Sequence, residues 1–77
     1  MSRFTNKRTV DKLIKSAIDL DSKKWIYSDE EFTEIILKAE EKYGLTEKEQ
    51  DSEIFFTDAK RRLQDYFSEM WWKKWLI

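Results

Sequence analysis

Seventy-seven residues contain no proline and a single glycine, Gly44, so the chain has few places where it can turn sharply. Hairpin-rich β folds depend on those two residue types at their turns, and without them the chain reads as all-α. There is no cysteine, hence no disulfide framework, and no histidine, hence no imidazole base or ligand. A domain this small must hold itself together with aliphatic side chains and with twelve aromatics, four of them tryptophan. That apolar content also argues against a disordered chain.

Periodicity and punctuation divide the sequence into a compact three-helix bundle with helices over about 9–20, 28–43 and 46–70, all within one domain of residues 1–77. In the first helix, Val10, Leu13, Ile14, Ala17 and Ile18 recur at helical spacing and form one apolar stripe. Lys12, Lys15, Ser16 and Asp19 fall on the outer face, and Asn6 or Thr9 supplies the cap. The second helix has the clearest start. Ser28 and Glu31 have the spacing of a capping box, and Tyr27 and Phe32 that of a hydrophobic staple. Its buried stripe is Phe32, Ile35, Ile36, Ala39 and Tyr43, with Leu37 pointing away and Gly44 as the left-handed stop. The third helix starts at Thr46, where Thr46 and Glu49 repeat the capping box, or a turn later at Ser52. Phe56, Ala59, Leu63, Tyr66 and Met70 form its stripe, widened by Phe67.

Charge is nearly balanced at −1 overall, but it is unevenly placed. Residues 1–24 carry seven Lys and Arg against three acids, residues 25–54 carry three against ten, and residues 55–77 carry five against three. No apolar run is long enough for a transmembrane segment. The first eight residues lack the apolar stretch of a signal peptide. A cytoplasmic location is expected, in a host cytoplasm if the chain is encoded by a virus or plasmid.

The residues offer little for catalysis. Serine and threonine nucleophiles have no histidine base, the one glycine is a helix stop and not part of a phosphate loop, and no metal or other cofactor is expected. Residues 19–30 (Asp19, Asp21 and Glu30 at the first, third and twelfth places, Ile26 at the eighth) resemble an EF-hand calcium loop. In that frame the fifth position is Lys23 and the sixth, normally glycine, is Lys24. Two ammonium groups there oppose a dication. The reading is an ordinary interhelical loop with Trp25 and Ile26 tucked beneath it.

Two basic regions could meet nucleic acid: Arg3, Lys7, Arg8, Lys12, Lys15, Lys23 and Lys24 near the start, and Lys60, Arg61 and Arg62 later. Pairing of Asp58 with Arg62 and of Arg61 with Asp65, four residues apart in each case, would neutralise much of the second. Leu45-Thr46-Glu47-Lys48-Glu49 followed by Phe55-Phe56-Thr57-Asp58-Ala59-Lys60-Arg61-Arg62-Leu63 resembles the central segment of the Hha/YmoA family. Those are small helical bacterial proteins that act by binding a nucleoid protein. The Asp-His that precedes the arginine in that family is Lys60-Arg61 here. The resemblance implies the alternative function, a small DNA-binding or nucleoid-associated transcriptional regulator.

The tail, Trp71-Trp72-Lys73-Lys74-Trp75-Leu76-Ile77, concentrates three tryptophans. Counted at about 100° per residue, Lys73 and Lys74 fall on the core face of the third helix, while Trp72, Trp75 and Leu76 fall nearly opposite. The tail therefore either bends back near Met70 or extends the helix and presents a second apolar face. Trp71, Trp72, Trp75 and Leu76, with Arg61 on the same side, are the expected partner-binding residues, because tryptophan is enriched among binding hot spots. Glu30, Glu34 and Glu41 form an acidic docking face on the second helix. The expected function is a small non-enzymatic protein–protein interaction module, a regulator, adaptor or inhibitor of a larger protein or complex, of the kind phages and plasmids often carry. Its partner is another protein or, through the tryptophan cluster, a second copy.

Overall fold

The computed structural model describes residues 6–50 and 55–76, with side chains up to Lys74. Those residues form helices and connecting turns, with no strand among them. The helices are α1 (Lys7–Asp19), α2 (Asp29–Tyr43), α3 (Glu47–Gln50) and α4 (Phe55–Leu76). The expected third helix over 46–70 is thus two described segments, α3 and α4, and the alternative start at Ser52 lies outside the described residues.

The helix starts follow local chemistry. Asn6 caps α1, its Oδ1 accepting the Thr9 N–H at 2.9 Å, which starts the helix two residues before the expected position. Ser28 and Glu31 make both bonds of the capping box on α2. Thr46 and Glu49 make the same reciprocal pair on α3. At the end of α2, Gly44 sits at φ 72°, and Leu45 N–H reaches back to the Ala39 carbonyl at 3.2 Å.

The end of α1 uses the same device without glycine. Asp21 takes the left-handed conformation at φ 55°. Its N–H bonds the Ile18 carbonyl at 3.0 Å, and the Ser22 N–H bonds the Ala17 carbonyl at 2.8 Å. This is the double bond pattern of a Schellman stop.

The core is built from Leu13 and Ala17 of α1, the staple residue Tyr27, Phe32, Ile35, Ile36 and Ala39 of α2, Leu45, and Phe55, Ala59, Leu63 and Phe67 of α4. The α2 stripe is the expected one, apart from Tyr43, which is only half-buried. In α1 the buried side is turned: Thr9, Leu13, Ser16 and Ala17 face inward, Val10 and Ile14 are half-buried, and Ile18 is exposed. Ser16 was expected outside. Its hydroxyl donates to the Lys12 carbonyl at 2.9 Å, so a small polar residue is satisfied within its own helix and can sit at a helix contact.

The α4 stripe is turned as well. Phe55, Ala59, Leu63 and Phe67 follow a single four-residue ridge, whereas Phe56, Tyr66 and Met70 are exposed. Phe56 lies at the flank instead, edge-on to Phe32 with ring centroids 5.1 Å apart. Ridges of residues four apart are the commonest packing surface of a helix, and here that row takes the contact over the mixed three–four row.

Helix α4 has 22 residues, about 33 Å of rise. It does not bend at Met70. The last buried ring on it is Phe67, so its C-terminal turns run beyond the core, and Lys73 and Lys74 are exposed despite their core-side register.

Candidate aromatic docking surface

The loop between α1 and α2 is held from both sides by Tyr27. Its ring is buried, its hydroxyl donates to the Ser22 carbonyl, and the same oxygen accepts the Lys24 N–H at 3.0 Å. Burial pushes the Tyr27 hydroxyl's pKa up, with the Glu31 charge adding to it and the Lys24 N–H opposing it. The Tyr27 N–H donates to Gln64 Oε1 on α4 at 2.8 Å. With the loop base fixed in this way, Trp25 and Ile26 are turned outward, 48% and 71% exposed. The expectation that they tuck beneath the loop is corrected: Tyr27 takes that inner place.

Trp25 rests on Trp71 of α4, with ring centroids 4.9 Å apart and planes tilted by 32°. Trp71 in turn meets Trp72 edge-on at 5.9 Å. Trp71 is four residues beyond Phe67, so it continues the buried ridge past the end of the core. Between loop and helix lies an open groove of about 350 Å³ lined by Lys23, Lys24, Trp25, Ile26, Phe67 and Trp71. Trp72, exposed and edge-on to Trp71, extends the apolar surface.

The groove's charged border is basic. Lys24 is bonded to Glu31, whose carboxyl is held below its usual range by that bond first and by the Ser28 N–H second. Lys23 has only a loose 3.9 Å approach to the solvent-exposed Asp21. Lys73 and Lys74 take part in no ion pair among the described residues.

Of the expected partner-binding residues, Trp71 and Trp72 are brought into this surface. The side chains of Trp75 and Leu76 lie outside the described ones. Arg61 is separated from it. It sits ten residues before Trp71 on α4, beside Phe56, Thr57, Lys60 and Gln64, and 3.6 Å from Asp58. Glu30, Glu34 and Glu41 are exposed along the outer side of α2, as expected, together with Leu37 at 57% exposure. Trp25 and Ile26 are the members that sequence reasoning missed. Their signal was an apolar pair behind two lysines, a composition that the Trp-Lys tail repeats.

The acids of the calcium-like loop do not form a metal-holding group among the described residues. Asp19 accepts from Lys42 and Tyr43, which lower its pKa in that order, Asp21 lies 3.9 Å from Lys23, and Glu30 takes part in no ion pair among the described residues. They do not converge on a common point. Several of the basic candidates for nucleic acid are engaged within the fold, while Lys7, Arg8 and Lys15 are exposed. Lys12 pairs with Glu49 at 2.7 Å, and Arg62 pairs with Asp58 at 3.0 Å. The expected Asp58–Arg62 pair is therefore present, whereas Arg61 also leans on Asp58 and no Arg61–Asp65 pair occurs among the described residues. Arg3 lies outside the described residues.

Compared with protein-family models, curated proteins and solved structures, the chain matches none of them. The likeness of residues 45–63 to the Hha/YmoA family rests on those residues alone. No helix among the described residues is long and apolar enough to cross a membrane.

Proposed function

We propose that this protein is a small non-enzymatic docking module. Its body is a three-helix bundle of α1, α2 and α4 with α3 as a connecting turn, and it binds another protein through Trp25, Ile26, Trp71 and Trp72. The observation that carries this reading is the stacked tryptophan cluster, each of whose three rings stays 43–56% exposed. Rings that stack on one another are already ordered, so a partner that covers them gains apolar contact with little loss of side-chain freedom. Tryptophan is among the residues most enriched at binding hot spots. A regulator, adaptor or inhibitor needs such a surface and no reaction centre.

The nucleic-acid reading is the weaker one, since Lys12, Lys60, Arg61 and Arg62 are each held by a carboxylate of the same chain. The test is affinity capture from the organism that encodes the protein, with wild type beside Trp25→Ala and Trp72→Ala. Both rings are largely exposed, so both variants are expected to fold. The expected result is a partner retained by wild type and lost by both variants. Identical captures by all three would sink the reading.

A further inference from the structure

We propose that the aromatic groove receives the Glu30–Glu34–Leu37–Glu41 face of α2 from a second copy of the chain. This rests on the docking reading above and names its partner.

The two surfaces match in charge and in apolar content. On α2, residues 30, 34, 37 and 41 are spaced by four, three and four, which places them on one stripe. Leu37 is 57% exposed in the middle of that stripe, with Glu34 and Glu41 about one turn to either side. None of the three glutamates takes part in an ion pair among the described residues. An isolated leucine between carboxylates is a poor surface for water and a good anchor for an apolar slot with a basic border. The groove is such a slot. Trp25, Ile26, Phe67 and Trp71 line about 350 Å³ together with Lys23 and Lys24, and Lys73 and Lys74 follow Trp71 in the next turn of α4.

The occupant has to come from another molecule. Within one chain, α2 turns Phe32, Ile35 and Ala39 into the core, so its opposite face cannot reach the chain's own groove. Two copies meet with little net repulsion, because the chain carries only −1 overall. Its charge is nevertheless segregated, with acids on α2 and lysines around the groove, so approach in this orientation is favoured over others.

Every copy carries one groove and one acidic face, which makes the contact separable by mutation. Leu37→Asp removes the anchor and keeps the groove, whereas Trp25→Ala opens the groove and keeps the anchor. Both positions are exposed, and circular dichroism establishes that each variant is folded. Sedimentation is then followed from about 10 µM to about 1 mM, the range suited to a contact of less than standard interface size.

The expected wild-type result is a mass that rises above the 9.5 kDa of one chain and falls back as salt screens the lysine–glutamate attraction. Each variant alone stays at the mass of one chain, and an equal mixture of the two recovers a dimer. Wild type that remains at one chain's mass throughout overturns the inference, and so does a mixture that fails to recover association. So does association that persists in both variants. Vesicles of mixed phosphatidylcholine and phosphatidylglycerol form a control arm. Binding to them that is lost in Trp25→Ala, with a protein that never self-associates, would assign the surface to anionic lipid and overturn the inference. A monomeric wild type leaves the capture experiment above untouched, so the two readings fail separately.

Discussion

At the scale of single residues, Glu49 joins parts of the chain 40 residues apart. It accepts from Lys12 at 2.7 Å and from the Thr9 hydroxyl at 2.7 Å, so the start of α1 is bound to α3 by one carboxylate. Its side chain is only 15% exposed. Burial works against its charge, but the bonds from Lys12, Thr9 and Thr46 outweigh burial and hold the carboxyl at about 2. A depressed carboxylate stabilises the folded state above its unfolded pKa, and that contribution is lost as pH falls through the folded value. Wild-type stability should therefore decline between the unfolded pKa of about 4.3 and pH about 2, measured by urea unfolding at a series of pH values. Glu49→Gln should cost about 2 kcal/mol at neutral pH and flatten that decline. An unchanged pH profile would show that the bonds do not hold in solution.

Tyr27 acts on the site without belonging to its surface. Tyr27→Phe keeps the buried ring and removes the hydroxyl that joins Ser22 and Lys24. The expected cost is about 1 kcal/mol, with a red-shifted tryptophan emission as Trp25 loosens from Trp71. A loss of stability with unchanged emission would separate Tyr27 from the docking surface.

At the scale of elements, the two interhelical stops test one principle in opposite directions. Gly44 at φ 72° has nothing within 4 Å of where a Cβ would stand, so Gly44→Ala is strained only through its backbone. It should cost about 1 kcal/mol. Asp21 at φ 55° already bears that strain, and Asp21→Gly should gain about 0.5 kcal/mol. Thermal unfolding of the two variants checks both signs. A destabilised Asp21→Gly would mean that the carboxylate contributes more than the backbone strain costs.

Helix α2 was legible from sequence because its signals are local: cap, staple, stripe and glycine stop all lie within eighteen residues. The register of α1 and α4 was not. Ser16 is polar and reads as outward, and Thr9 reads as a cap, yet the Lys12 carbonyl and Glu49 satisfy them in the interior. The periodicity count puts Phe56 in the stripe, whereas the packed structure buries Phe55 and leaves Phe56 at the flank, edge-on to Phe32.

At the scale of the whole molecule, core and docking surface share a single helix but not its energetics. Leu63 is fully buried, so Leu63→Ala should cost about 2–5 kcal/mol. Trp72 is 56% exposed beyond the last core ring, so Trp72→Ala should change stability by no more than about 0.5 kcal/mol. Denaturant unfolding of the pair measures the contrast, and a large loss for Trp72→Ala would place that ring in the fold and not in an interface. Duplex DNA titrated across a salt series should bind negligibly, because Lys12, Lys60 and Arg62 are paired within the chain and the exposed acids of α2 repel phosphate. Tight binding that weakens steeply with salt would favour the DNA-binding alternative.

The sequence by itself determined that the chain is helical, where α2 begins and ends, and that apolar side chains gather near residue 71. Caps, glycine and composition act over a few residues and need no tertiary partner. Only the tertiary structure decided which face of α1 and α4 is buried, since that depends on what each helix meets across the core. It also decided what the tryptophans form. They are distant in sequence from Trp25 and Ile26, and they meet them because Tyr27 and Gln64 tie the loop to α4 where that helix leaves the core.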